Sequence, residues 1–384
     1  MGRLGRATVG TLLLALVAAV ATLPAEAAGP GTPVTFGTNT FGQFGDGSRL
    51  SSTRTTPGAV TGLTDVMQLH GGREHVIALR ANGTVAAWGS NAKGQIGDGT
   101  TVSVRSTPVQ VPGLSSITEV STGHYHSLAR RSDGTAWVWG FNALGQLGDG
   151  TGANRRSPKR YGTFTNVRHV SAGRDMSYVV LADGTVWCSG GNSYGECGDA
   201  TLTQRRTPVR VSGLTDVLQV AGGRNHGLAL RSDGTVWAWG RNTSGQLGDG
   251  TLTNRTRPVR VTGLTTVVSI AAGATHSVAV LADGTVRAWG ENSRGNLGLG
   301  DNADRRTPTM VPGITTARSV GAGRDHTFVV TEAGTVYIWG WNVYGQVGEP
   351  SLQNVRRPRL LPGVSGVTSV GGGQAYSVLL TTGG

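Results

Sequence analysis

The chain has 384 residues, with 63 glycines, nine tryptophans, a formal charge of +12 and 15% charged residues. Length alone would accommodate two or three domains, but abundant Gly, Thr and Val point to many short strands joined by tight turns and exclude a helical protein. The basic balance favours salt-sensitive contact with polyanions or acidic proteins and carries no information about fold.

The N-terminus reads as an export signal. Arg3 and Arg6 make a basic start, residues 9–23 form an apolar run, and Ala25-Glu26-Ala27 offers the small-x-small pattern of a cleavage site. Residues 1–27 are therefore expected to be a signal peptide cleaved near Ala27, leaving a secreted, extracellular chain of residues 28–384. The apolar run is too short for a membrane span, and no later stretch is apolar enough to make one in the mature form. Without Arg3, Arg6 and Glu26, the 34 basic and 22 acidic side chains become 32 and 21, or +11.

From residue 32 onward one unit repeats. Trp139-Gly140-Phe141-Asn142 followed by Gly145-Gln146-Leu147-Gly148-Asp149-Gly150-Thr151 returns as Trp239-Gly240-Arg241-Asn242 followed by Gly245-Gln246-Leu247-Gly248-Asp249-Gly250-Thr251. The first glycine of this signature falls at Gly37, Gly89, Gly140, Gly190, Gly240, Gly290 and Gly340. Seven copies of roughly 50 residues fill the mature chain. Residues 258–289 illustrate one copy: an alternating segment from Pro258, an apolar run from Val267, another from His276, an Asp283-Gly284 hairpin signal read as a two-residue turn, and a final strand ending at Trp289. About four short strands per copy is the content of one propeller blade. In residues 235–239, Val236 and Ala238 face one way while Trp237 and Trp239 face the other, so both faces are expected to be buried between neighbouring blades. The last copy stops at Thr382-Gly383-Gly384, and its missing Thr-Val-x-x-Trp-Gly segment is found at the other end as Thr32-Pro33-Val34-Thr35-Phe36-Gly37. The expected fold is thus all-β, a single seven-bladed β-propeller closed by an N-terminal strand that completes the last blade.

The repeat Trp-Gly-x-Asn-x-x-Gly-Gln-Leu-Gly, Arg-x-x-Pro-x-x-Val, Gly-x-x-His-Ser, Asp-Gly-x-Val resembles that of the regulator of chromosome condensation family, in the form of a secreted bacterial propeller. The resemblance covers essentially the whole mature chain and implies a seven-bladed propeller. It implies no single activity, because members act as nucleotide exchange factors, photoreceptors, enzyme inhibitors and interaction platforms. The wedge of the family's Ran exchange factor has no counterpart here, since no repeat exceeds its neighbours by more than two residues. The tryptophans that a plant UV-B photoreceptor places after the Gly of Gly-x-x-His are replaced here by Arg73, His124, Arg174, Arg224, Ala274, Arg324 and Gln374. A propeller-type β-lactamase inhibitory protein is similar in its Gly-x-x-His and Trp-Gly stretches but has shorter repeats.

His75, His126, His226, His276 and His326 share one register, filled elsewhere by Met176 and Tyr376. Copies in separate blades lie too far apart to ligate one ion, so packing or hydrogen bonding is expected. Asp46, Asp98, Asp149, Asp199 and Asp249 recur in step with Arg54, Arg105, Arg155, Arg205 and Arg255. That rhythm predicts a loop-clamping ion pair, which Leu299 and Val355 would interrupt. Gly191-Asn192-Ser193-Tyr194-Gly195 matches a hydrolase nucleophile pattern but is an ordinary copy of the repeat turn, with no helix after it. Cys188 and Cys197 lie nine positions apart, and a disulfide between them is left open by sequence.

Two surfaces remain as candidates. Inside Gly-x-x-His a variable pair reads Arg73-Glu74, His124-Tyr125, Arg174-Asp175, Arg224-Asn225, Ala274-Thr275, Arg324-Asp325 and Gln374-Ala375, on loops expected to gather round the central channel. Surplus basic residues, Arg156, Arg160, Arg206, Arg210, Arg257, Arg260, Arg306, Arg356 and Arg357, crowd what reads as a loop before each proline and are expected to form a lopsided basic arc. Without interleaved aromatic residues that arc gives no expectation of sequence-specific nucleic-acid binding. The expected function is a monomeric, non-catalytic, cofactor-free and metal-free scaffold that binds an unidentified protein or anionic polymer. The alternatives are a secreted hydrolase or lyase working at the channel mouth, through Glu74, Asp175, Asp325 and His124, and an inhibitor propeller.

Overall fold

The computed structural model describes residues 29–49 and 53–382, so the signal-peptide reading of residues 1–27 lies outside the described residues. It contains 28 strands arranged as seven four-stranded antiparallel sheets. Blade 4 is typical: an inner strand Val217–Gly222 pairs with His226–Arg231, that with Val236–Gly240, and that with an outer strand Arg255–Arg260. Blades are numbered here by their inner strands, from Val66–Gly71 in blade 1 to Val367–Gly372 in blade 7.

The ring closes as the split repeat predicts, with one refinement. Thr32–Gly37 pairs along its length with Tyr376–Thr381, from Thr32 opposite Thr381 to Gly37 opposite Tyr376. Arg54–Ala59 then pairs with Thr32–Gly37. The N-terminus therefore supplies two strands of blade 7, not one. The reason is that each Arg-x-x-Pro segment belongs to the preceding Trp-Gly strand: Trp237 lies opposite Arg260 and Gly240 opposite Arg255. The blade boundary thus falls after this strand, whereas residues 258–289 had been read as one unit.

The Trp-Gly glycine is required by its backbone. Gly240 has φ of 99°, and a Cβ there would meet the Asn225 carbonyl oxygen at 2.5 Å. Only glycine fits both conditions. The Asp-Gly hairpins differ from expectation. Leu281 N–H bonds to the Thr285 carbonyl at 2.9 Å and Gly284 N–H to the Leu281 carbonyl at 2.9 Å. Gly284 alone takes positive φ, so the loop has three residues rather than the two of a primed turn.

Both faces of each blade are buried, and the core is divided into seven clusters, one at each boundary between blades. Trp237 and Trp239 pack toward blade 3, while Val236 and Ala238 pack toward blade 5. Trp88, Trp139, Trp239, Trp289 and Trp339 are fully buried. Each removes roughly 150–250 Å² from water, so these five side chains dominate the boundary energetics. Each indole N–H also donates to a carbonyl of the preceding blade, as Trp289 Nε1 does to Gln246 O at 3.0 Å. Blade 3 has Ser189 and blade 7 has Phe36 where the other five blades have Trp. Beside Ser189, Tyr161 replaces the usual aliphatic residue, its hydroxyl lies 2.9 Å from Ser189 Oγ, and Ser189 Oγ donates to Gln146 O at 3.2 Å. The same acceptor is served by different chemistry.

Candidate functional site: the channel mouth and the outer edges

The Gly-x-x-His loops join each inner strand to its neighbour, and all seven open onto one end of the axial channel. Arg73, His124, Arg174, Arg224, Ala274, Arg324 and Gln374 line a single cavity of about 260 Å³ together with loop glycines. Their backbone is stitched from blade to blade: Arg73 N–H to His124 O at 3.3 Å, His124 N–H to Arg174 O at 3.1 Å, Ala274 N–H to Arg324 O at 2.8 Å, and Gln374 N–H to Arg73 O at 3.1 Å. The last of these crosses the point of ring closure. The backbone is tied while the side chains are left to vary.

Electrostatics at the mouth are crowded. Arg73 lies 3.1 Å from Glu74, Arg174 lies 3.0 Å from Asp175, and Asp325 is shared by Arg324 at 3.2 Å and Arg294 at 2.8 Å. Arg224 is followed by Asn225, whose amide donates to Glu196 at 2.9 Å. Among the described residues Arg224 forms no ion pair. Burial lowers its pKa, and the neighbouring Arg174 and Arg324 lower it further. Burial pushes the His124 imidazole down to about 3, assisted by Arg73, Arg174, Arg224 and Arg324, so it is neutral at physiological pH. Burial raises the carboxyls of Glu74, Asp175 and Asp325 against the pull of their arginines.

A second ring of variable residues was missed by the sequence reading. The carbonyl of the second loop residue accepts a bond from the residue after each Trp-Gly: Phe141 N–H to Tyr125 O, Arg241 N–H to Asn225 O and Trp341 N–H to Asp325 O, each 2.8 Å. This carries Phe141, Arg241 and Trp341 to the same face, with Arg294 stacked 4.3 Å from the Trp341 ring and Tyr344 edge-on to it at 5.3 Å. Arginine and aromatic residues are the side chains that anchor protein interfaces. The available signal was variation at the position after Trp-Gly, as sharp as that inside Gly-x-x-His.

The histidine register is structural. His75, His126 and His226 place Nε2 3.0 Å from Ser127, Ser177 and Ser277 of the next blade; His276 does so to Thr327 at 3.0 Å and His326 to Ser377 at 3.1 Å. No group of three His, Cys, Asp or Glu side chains among the described residues is placed to hold a metal. The acidic series forms the expected ion pairs, for example Asp98–Arg105 at 2.6 Å and Asp249–Arg255 at 2.8 Å. Leu299 and Val355 do not leave their loops unclamped, because Asp301–Arg305 at 2.6 Å and Glu349–Arg359 at 3.1 Å take over. The Gly-x-Ser-x-Gly segment is a turn after residues Val186–Gly190, with Ser193 exposed. Cys188 and Cys197 are disulfide-bonded, their Cα atoms 5.3 Å apart.

The surplus arginines lie on strands, which corrects their placement on loops. Arg156, Arg160, Arg206, Arg210, Arg257, Arg260, Arg306, Arg356 and Arg357 sit on the outer strands of blades 2 to 6 and are all exposed. None of the nine forms an ion pair among the described residues. The outer strands of blades 7 and 1, Arg54–Ala59 and Val104–Gln110, carry no such surplus. Charge and proline on an unpaired edge also discourage edge-to-edge association of sheets.

A seven-bladed disc with a constant frame, a variable mouth and arginine-bearing edges on five blades defines the protein's class as a closed β-propeller. The chain belongs to the RCC1-like domain family, whose model matches residues 31–321, and regulator of chromosome condensation (RCC1) repeats match residues 317–346 and 333–380. A stretch of 92 residues is 41% identical to the probable E3 ubiquitin-protein ligase HERC6 of Homo sapiens, covering 23% of this chain and 9% of that protein. Another, of 133 residues, is 33% identical to the ultraviolet-B receptor UVR8 of Arabidopsis thaliana, covering 34% and 30%. The regulator of chromosome condensation of Mus musculus is 33% identical over 112 residues, covering 29% and 26%. The chain thus spans less than a third of the length of these relatives. Among solved structures, Prp20p of Saccharomyces cerevisiae is similar with a TM-score of 0.82 at 24% identity, over 92% of this chain and 91% of that one. Human WBSCR16 gives 0.82 at 22% identity, over 91% and 98%. These two likenesses concern the fold.

Proposed function

We propose that the protein is a non-catalytic binding scaffold, exported from the cytoplasm, that engages an acidic protein or anionic polymer along the outer edges of its blades. The observation that carries this reading is the run of nine exposed arginines, without ion-pair partners among the described residues, on five consecutive blades beside two blades that lack the surplus. Edge protection alone would call for such charge on every blade. A partner running along one side of the disc accounts for the asymmetry. Prp20p is described by its binding to Gsp1p and histones, which accords with a docking role for a disc of this shape.

Binding of this kind releases counterions and weakens steeply with salt. Retention on immobilised heparin and on poly-glutamate, followed against salt, tests it. Replacing Arg206, Arg257 and Arg306 with Gln is expected to flatten the salt slope on at least one matrix. Equal slopes for the wild type and the triple variant would remove the rim from the proposal.

Catalysis at the channel mouth is less well supported. Glu74, Asp175 and Asp325 each lie against an arginine, and His124 is held neutral among four guanidinium groups. A general acid–base pair needs one member free to take a proton from substrate.

A further inference from the structure

We infer that the axial cavity at the channel mouth is a binding site for a small multivalent oxyanion, a phosphate- or carboxylate-bearing molecule of about the size of pyrophosphate or citrate, held chiefly by Arg174, Arg224 and Arg324. This site is separate from the outer-edge arc, and neither proposal depends on the other.

The argument begins with charge. Four guanidinium groups, Arg73, Arg174, Arg224 and Arg324, border one cavity of about 260 Å³. Three carboxylates stand against them, and one of these, Asp325, is shared with Arg294. Arg224 has no ion-pair partner among the described residues; Arg174, Arg324 and Arg241 repel it, and the attraction of Asp325 is weaker than any of these. Half-buried like charges held together in this way cost free energy that an anion between them returns.

Hydrogen-bond capacity gives the second strand of evidence. The Nε atoms of Arg73 and Arg174 face Glu74 at 3.1 Å and Asp175 at 3.0 Å, while the terminal nitrogens of both guanidinium groups donate to no acceptor among the described residues. Guanidinium groups present several donors in a planar fork that matches carboxylate and phosphate oxygens. The neutral His124 and the Gln374 amide complete the ring with further polar groups that add no negative charge.

Size and rigidity give the third. Pockets for drug-sized ligands enclose roughly 300–1,000 Å³, so this one is suited to a smaller molecule. Backbone bonds from Arg73 to His124 O, Arg174 to Gly223 O and Arg324 to Gly373 O tie three of the four arginine loops to the next blade, so little backbone ordering is required on binding. Four of the seven equivalent positions bring arginines to one axis, an arrangement that a compact, multiply charged anion satisfies better than a single carboxylate.

Calorimetric titration of sodium pyrophosphate and of sodium citrate into the full-length protein at low ionic strength tests the inference. One equivalent of at least one anion is expected to bind, and which of the two binds assigns the phosphate or carboxylate source. Arg224→Gln is expected to weaken binding about tenfold or more, the effect of one charge-assisted hydrogen bond. Arg206→Gln removes the same charge from the outer edge and is expected to leave it unchanged. Arg224 makes no ion pair in the fold, so Arg224→Gln is expected to melt like wild type. Ala274→Arg, which adds a fifth guanidinium to the ring, is expected to tighten binding. Failure of both anions to bind, several equivalents bound, or equal losses in Arg224→Gln and Arg206→Gln would each overturn the site. Heparin retention through the outer edge is read separately, so either proposal fails alone.

Discussion

His126 Nε2 lies 3.0 Å from Ser177 Oγ across the boundary between blades 2 and 3, and Ser177 Oγ in turn donates to Gln146 O at 2.7 Å. Five boundaries carry this arrangement. At the other two both partners change together: Met176 is followed in the next blade by Gly227, and Tyr376 by Val76. Neither Gly227 nor Val76 leaves a buried hydroxyl stranded. Tyr376 instead sends its hydroxyl to His75 O at 2.6 Å, across the ring closure.

This pairing predicts strong coupling. His126→Ala removes the imidazole bond to Ser177 Oγ and opens a cavity beside it, and is expected to cost about 2–4 kcal/mol. Adding Ser177→Gly, which copies the chain's own solution at Met176 and Gly227, is expected to cost less than the sum of the two single changes. A double-mutant cycle by denaturant unfolding measures this, and simple additivity would contradict it.

The belt also sets the acid limit of stability. Burial depresses His75, His126, His226 and His326 to about 3 and His276 to about 4. Groups with a lowered folded pKa stabilise above the unfolded value, near 6.5 for histidine. That stability is lost as pH falls from there toward the folded value. Each such group loses about 1.4 kcal/mol per pH unit, so five together exhaust an ordinary folding stability of roughly 5–15 kcal/mol well before pH 3. Thermal melting should fall steeply below pH 6.

His169 works in the opposite direction. Burial lowers its pKa, but Glu119, 2.6 Å from Nδ1, and the Val220 carbonyl, 3.0 Å from Nε2, overcome this and hold it above the ordinary value. A raised folded pKa gives stability that is full below the unfolded value and lost as pH rises through the folded one. His169→Gln is therefore expected to lose less stability than wild type between neutral and alkaline pH. Identical alkaline slopes would show that the pair is not charged.

The Cys188–Cys197 bridge joins the third strand of blade 3 to the loop after it, closing a sequence separation of nine. Loop-closure entropy for so short a ring corresponds to about 2–3 kcal/mol. A Cys188→Ala, Cys197→Ala variant should be less stable by that amount in denaturant unfolding and lose all sensitivity to added reductant.

Closure of the ring is tested at Phe36, which is fully buried at the boundary of blades 6 and 7. Phe36→Ala is expected to cost about 3–5 kcal/mol. The expected export is checked by N-terminal sequencing of protein recovered from the medium, which should begin near Ala28.

Periodicity and composition by themselves determined the number of blades, the pairing of residues 32–37 with the C-terminal strand, the structural role of the histidines and the Asp–Arg clamps. Those features are local or repeated, so each copy reports on the others. Tertiary structure alone decided where each blade ends, because the Arg-x-x-Pro strand pairs backward across a long loop with the strand before it, not forward with the strand after it. That pairing moved nine arginines from presumed loops to exposed strand edges. Only the closed ring brought Phe141, Arg241, Arg294 and Trp341 beside the Gly-x-x-His loops and left Arg224 facing other arginines without an ion pair among the described residues. Residues 50 apart in the chain become neighbours round an axis, and the charge each one meets is set by that geometry.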